Sequence, residues 1–259
     1  YSPDVLAMWV AAMDFPSPEP VIAALRERVD HGLFGYGVEP PELRLAIIRW
    51  LEEQYAWSVT PDDLVLIPGV VVGFNLAAQA VTEPGDGMLL QTPVYYPMLS
   101  TPRYADISLD RMKLTKERSG RYGVDLDLME ETIRDRTRLF LLCNPHNPVG
   151  RVFERAELEA MAELCLAHDL IVCSDEIHCD LTYSGRSHTP IASLDEEIAR
   201  RTITLMAPSK TFNVAGLKFS FAVIQNPDLR DRYQRAFRGI VPSISVLGYA
   251  AALAAYTEG

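Results

Sequence analysis

Short apolar runs alternate along this chain with longer stretches whose apolar residues recur at helical spacing, and that alternation sets the class of fold before any single residue is weighed. The runs 64–67, 88–91, 139–143, 170–174, 202–206 and 219–224 are strand-length and almost wholly apolar, the pattern of strands covered on both faces. Between and around them, 20–30, 41–55, 70–81, 126–134, 154–168, 227–238 and 244–256 read as helices, 95–104 as helical and 107–114 as extended. The first helix follows Ser17-Pro18-Glu19-Pro20, which places proline where its missing N–H costs nothing, and the helix at 70 opens on Gly69 and closes at Pro84-Gly85-Asp86-Gly87. Strands separated by helices predict an α/β fold with a mostly parallel, twisted sheet and helices on both faces. A chain of 259 residues with 48% hydrophobic content can bury a large core, as one large domain or two modest ones. It contains no internal repeat and no low-complexity linker.

Three of these strands run into polar turns. Asn144-Pro145-His146-Asn147-Pro148-Val149-Gly150 follows the run 139–143, Asp175-Glu176-Ile177-His178 follows 170–174, and Ala207-Pro208-Ser209-Lys210-Thr211-Phe212-Asn213 follows 202–206. Ligands of open α/β sheets bind outside the carboxyl ends of the strands, so Asn147, Asp175 and Lys210 are expected in one crevice. A ligand with both an aldehyde and a basic ring nitrogen would use all three. Singly, each has an ordinary alternative: a surface lysine, an aspartate serving as helix N-cap or loop ion pair, and an asparagine in an Asx-turn before Pro148.

Charge and composition narrow the classes further. A formal net charge of −11 and no long basic run argue against nucleic acid, whose binding is driven by clustered Lys and Arg. The apolar runs fall far below the roughly 20 residues that span a bilayer, so no membrane partner is expected. The first residues show neither a basic segment nor a signal-peptide apolar core. Cys143, Cys165, Cys173 and Cys179 lack C-x-x-C spacing and read as reduced, buried thiols, which fits a cytoplasmic location. Cys143 is read as a small core residue. The spacing of Cys173, His178 and Cys179 is not that of metal ligands, and no metal is expected.

The strand-end motifs occur in order with Met8-Trp9-Val10-Ala11-Ala12-Met13-Asp14-Phe15, Phe34-Gly35-Tyr36-Gly37 and Thr92-Pro93-Val94-Tyr95, and together they cover nearly the whole chain. In this set the chain resembles the fold type I pyridoxal 5'-phosphate (PLP) enzymes of the class I/II aminotransferase group, and within it the cystathionine β-lyase branch. The resemblance implies a PLP-dependent transferase-like large domain at 37–259, led into by an N-terminal segment at 1–36. It implies that Lys210 carries PLP as a Schiff base and moves the Cα proton, and that Asp175 pairs with the pyridine nitrogen so that the ring accepts electrons. Asn147 resembles the residue that hydrogen-bonds the ring O3', and Tyr95 the aromatic that stacks on the ring, against its alternative as a core aromatic beside Tyr96. Val70 and Val71, opening a helix after Gly69, resemble a phosphate-binding turn, with Ser209 and Lys218 as further phosphate ligands; many relatives have arginine at the position of Lys218. Tyr36 resembles the tyrosine that reaches the neighbouring subunit's phosphate, which implies a homodimer. His178 stands where aminotransferases of the group often have a tyrosine contacting O3', and the string Asp175-Glu176-Ile177-His178 points to the lyase branch.

Two departures from the resemblance stand out. Ala12 replaces an aspartate common in relatives, which alters the expected substrate entrance. The chain ends at Gly259, where family members continue for about a hundred residues, and it starts at Tyr1 without a methionine. The smaller C-terminal domain, and the arginine that clamps the substrate carboxylate, are therefore expected outside this chain. The expected activity is β-elimination from a small amino-acid substrate, cystathionine or a related cysteine S-conjugate, giving a thiol, pyruvate and ammonia. The alternative is an aminotransferase passing the amino group to a 2-keto acid, and a third reading is a PLP-binding regulator without turnover.

Overall fold

The computed structural model describes residues 4, 11–183 and 185–259, so Met8, Trp9 and Val10 lie outside the described residues. In chain order the elements are α1 (Glu19–His31), α2 (Leu43–Tyr55), β1 (Leu64–Ile67), α3 (Val70–Val81), β2 (Gly87–Thr92), α4 (Thr101–Ala105), β3 (Ser108–Lys113), β4 (Thr115–Lys116), β5 (Tyr122–Gly123) and α5 (Leu126–Thr132). They continue with β6 (Thr137–Cys143), α6 (Arg155–Ala167), β7 (Ile171–Asp175), α7 (Glu196–Ala199), β8 (Thr202–Met206), α8 (Pro208–Thr211), β9 (Ser220–Val223), α9 (Pro227–Phe237) and α10 (Val246–Glu258).

Local chemistry accounts for many of the boundaries. The last turn of α1 is closed by Gly32 at φ 75°, whose N–H reaches the Val29 carbonyl. Asp125, Asn226 and Ser245 each accept backbone N–H groups from the first turn of α5, α9 and α10. Glu154 and Glu157 form a capping box at the start of α6. The stretch expected to be helical at 95–104 is instead a 3-10 segment, Tyr96–Ser100, followed by the short α4. Pro97 and Pro102 supply no N–H to carry one regular ladder through. The turn expected around Lys210 is a single helical turn, α8, too short for any sequence period to reveal.

Seven strands form one sheet in the order β1-β9-β8-β7-β6-β2-β3. Strand β9 runs antiparallel to both β1 and β8, and the remaining pairs are parallel. Alternation along β6 divides the core. Leu139, Leu141 and Cys143 face α3 and α9, joining Phe74, Leu76 and Tyr233, while Phe140 and Leu142 face α6, joining Leu158 and Met161. On that second face the β1-β9 half is covered by α2 and α10, through Ile47, Leu51 and Ala252 against Phe221 and Val223. The fold is the expected α/β class, a mostly parallel sheet with helices on both faces.

Helix α10 sits unusually close to the 3-10 turn Ala215–Leu217, because Gly248 has no side chain: a Cβ there would lie 2.8 Å from the Leu217 carbonyl oxygen. Backbone cannot yield as a side-chain tip can. Gly248→Ala is expected to destabilise the chain by about 1–3 kcal/mol, the range for overpacking, despite alanine's better helix propensity. Thermal unfolding checks it, and an unchanged or raised midpoint contradicts this account.

Candidate functional site

The sheet delivers the candidate residues to one edge by register. Asp175, the last residue of β7, pairs with Cys143 on one side and Leu205 on the other, so the chain leaves β6, β7 and β8 in three adjacent turns about 4.8 Å apart. Those turns carry Asn147, Asp175 with His178, and Ser209 with Lys210. Strands β1 and β2 end at the same edge, bringing Gly69-Val70-Val71 and Tyr95 there. Because β9 is antiparallel to β8, it begins at that edge, and Lys218, two residues before Ser220, arrives beside the others. Tyr36 is not brought there. Its side chain is fully exposed, in a loop that lies against residues 243–247.

Lys210 stands on α8, after Ala207 in extended conformation and Pro208 in the first helical turn. The side chain is half-buried, and burial lowers its ammonium pKa; Asp175 opposes that shift and Lys218 adds to it. Its Nζ donates to the Ala11 carbonyl at 3.2 Å. Asn213, three residues on, adopts φ 55° and clamps the segment that carries Ala11. Its Oδ1 accepts from Met13 N at 3.2 Å, its Nδ2 donates to the Met13 and Phe15 carbonyls at 2.9 and 2.8 Å, and its own carbonyl accepts from Ser17 Oγ. In the sequence Asn213 is only a letter in the lysine motif. Its one signal is that asparagine tolerates the left-handed region better than other side chains, which becomes useful only once the backbone is known.

Asp175 is 4% exposed and its carboxylate accepts one hydrogen bond among the described residues, from Ile177 N at 3.2 Å. Burial pushes its carboxyl up to about 7, with Glu176 adding to the shift and the Ile177 N–H and Lys210 opposing it. A buried carboxyl with no cation in contact among the described residues is suited to a ligand's ring N–H⁺. The His178 imidazole is pushed down by burial and by Lys210. The Tyr95 phenol is pushed up by burial, then by Tyr96 and Asp175, and its ring packs edge-on to Tyr96 at 5.4 Å. Asn147 and His178 share a cavity of about 550 Å³ with His146, Arg151 and Tyr183.

The first turn of α3 has no side-chain cap, so its leading N–H groups remain open to an anion. Buried Ser209 and the cationic Lys218 stand at the same edge. The donor set as a whole is an amine of lowered pKa, a buried carboxyl, an amide and an anion cradle. It complements an aldehyde, a basic ring nitrogen, a ring oxygen and a phosphate.

Two further acids at this edge have no role assigned by the sequence alone, Glu176 appearing there only within its motif. Glu176 is fully buried, with Oε2 on His188 Nε2 at 2.7 Å and Oε1 accepting from Ser174 Oγ and Ile191 N at 2.8 and 3.2 Å. Asp180 accepts hydrogen bonds from Tyr55 and Thr211. The four cysteines are free and buried, as expected. Among the described residues no helix is long and apolar enough to cross a membrane.

Residues 3–258 match the family described as aminotransferase class I and II. The chain belongs to that family. It is 40% identical over 262 aligned residues to the cystathionine β-lyase PatB of Bacillus subtilis, an alignment covering 99% of this chain and 66% of that protein. Among solved structures it is similar to OvoB, at 46% identity and a TM-score of 0.95, covering 99% of this chain and 68% of that one. It is also similar to cystalysin of Treponema denticola, which contains a pyridoxal 5'-phosphate cofactor, at 35% identity and a TM-score of 0.94, covering 98% and 65%. The chain thus spans about two thirds of the length of these relatives, and the expected likeness to the carbon-sulfur lyase branch holds.

A carboxyl whose folded-state pKa is raised favours folding in its protonated form, so that contribution is intact below the ordinary carboxylate value and is lost as pH climbs through about 7. In cofactor-free protein, Asp175→Asn is expected to gain stability over wild type steadily between about pH 4 and 7 and to hold a constant margin above. Thermal melts across that range test this, and a margin independent of pH would contradict it.

Proposed function

We propose that the chain holds PLP on Lys210 and serves a carbon-sulfur β-lyase that cleaves cystathionine or related cysteine S-conjugates to a thiol, pyruvate and ammonia. The observation that carries this reading is the pairing of Lys210, whose amine is made less basic by burial, with Asp175, whose carboxyl is buried at the end of the adjacent strand. The donor set fits PLP group by group: Lys210 for the aldehyde, Asp175 for the pyridine nitrogen, Asn147 for the ring oxygen, and Ser209, Lys218 and the α3 N-terminus with Val70 and Val71 for the phosphate. Tyr95, which follows β2 at the same sheet edge, would cover the ring. When bound, PLP supplies an electron sink for charge developing at the substrate Cα.

The protein's share of the chemistry follows from its own groups. Lys210, an amine of lowered pKa, would serve as the base that takes the Cα proton. Asp175, ionised against a ring N–H⁺, keeps that proton in place. The cavity beside Asn147 and His178 gives a thioether arm room to lie and leave. Similarity to the cystathionine β-lyase PatB favours elimination over transamination, although an aminotransferase would use the same Lys210 and Asp175. The substrate is a small amino acid, and the working form is a cytoplasmic homodimer in which the exposed Tyr36 reaches the neighbouring site.

The test is incubation with PLP and L-cystathionine, following pyruvate. Pyruvate is expected without added keto acid, and turnover only when a keto acid is supplied would replace the lyase reading with transamination. Lys210→Ala is expected to lower turnover by on the order of a hundred- to ten-thousand-fold and to abolish borohydride fixation of the cofactor to the chain. Fixation that survives in this variant would move the attachment elsewhere.

A further inference from the structure

Helix α8 has only four residues, and a helix of that length is not held by its own hydrogen bonds. The direction of Lys210 must therefore be set from outside it. On one side Phe212 packs edge-on to Trp50 and Tyr256, with ring centroids 5.6 and 6.1 Å away, and Asn213 binds the segment 13–17. On the other side stands Asp180, in the loop that leaves β7 after Asp175. Its Oδ2 accepts from the Thr211 hydroxyl at 2.5 Å and its Oδ1 from the Tyr55 hydroxyl. Thr211 is the neighbour of Lys210 and the last residue of α8; Tyr55 is the last residue of α2. A single carboxylate thus joins the loop of Asp175, the helix of Lys210 and a helix of the covering layer.

The brace is closed from behind. The Tyr55 ring packs edge-on against His188 at 5.5 Å, and His188 Nε2 is held by buried Glu176, the residue after Asp175. Burial raises the Tyr55 phenol, which keeps it protonated and donating. Asp180 does not line the cavity, although His178 and Leu181 on either side do, so it is placed to orient rather than to bind substrate.

We propose that Asp180 is a positioning residue, fixing Lys210 relative to Asp175 through Thr211 and Tyr55. This rests on the reading that Lys210 holds PLP. The experiment compares wild type with Asp180→Asn, Thr211→Val and Thr211→Ser, measuring the rate of borohydride-fixable PLP attachment at Lys210, pyruvate formation, and the melting midpoint of the cofactor-free protein. Asp180→Asn and Thr211→Val are expected to slow attachment by on the order of ten- to a hundred-fold, the range for losing a group that orients a functional side chain, and Thr211→Ser to restore it. Thr211→Val, nearly equal in shape to threonine, is expected to melt within a few degrees of wild type, which separates positioning from loss of fold. Attachment at the wild-type rate in both Asp180→Asn and Thr211→Val overturns the proposal. If wild type itself attaches no PLP, the cofactor reading falls and this proposal with it. If wild type attaches PLP but forms no pyruvate, only the lyase reading falls, and the attachment rates still decide the role of Asp180.

Discussion

A carboxyl group cannot be taken out of water without either a proton or a partner, and the edge of this sheet is organised around one such group. Asp175 ends the strand at the centre of the sheet order, with parallel neighbours on both sides, so little solvent reaches it from the flanks. In the cofactor-free protein the group relieves its burial by holding a proton up to about pH 7. A cationic ring placed against it would make ionisation favourable again, and stability forfeited there would return as affinity. Lys210 feels the same environment with the opposite sign. One desolvated pocket thereby prepares both an acceptor for a ring proton and a less protonated amine.

The polarity of the strands decides which residues join this pair. Were β9 parallel to β8, its carboxyl end would stand at the site and Lys218 at the far edge. The antiparallel turn reverses that, and a lysine that precedes its strand meets residues that follow theirs. The left-handed backbone at Lys218, φ 56°, is part of the tight turn that accomplishes the reversal.

Much of this was legible in the sequence because strand ends carry their chemistry in contiguous letters. The motifs at Asn147, Asp175 and Lys210 are read directly, and the apolar runs before them fix which edge they share. The groups that hold the site were not legible, because their partners are remote in sequence. Asn213 reaches back about two hundred residues to Met13 and Phe15, and Asp180 meets Tyr55 and Thr211 from two different helices. No local pattern encodes such pairings. Pro97 and Pro102 were visible in the sequence, but the 3-10 turn they impose after Tyr95 follows from hydrogen bonds that cannot be made rather than from a period that can be counted.

Helix α10 lies in the layer that covers the opposite face of the sheet from α3, yet the spacing at Gly248 ties it to the turn that ends in Lys218. A Cβ at Gly248 would lie 2.8 Å from the Leu217 carbonyl oxygen, and Ala251, Ala252 and Ala255 continue the same thin side of the helix. The placement of Lys218 is therefore gauged from behind, by a shim of small side chains. A bulkier residue in that row would act as a wedge, lifting the helix from the sheet and drawing Lys218 away from the proposed phosphate position without altering any residue at the site edge.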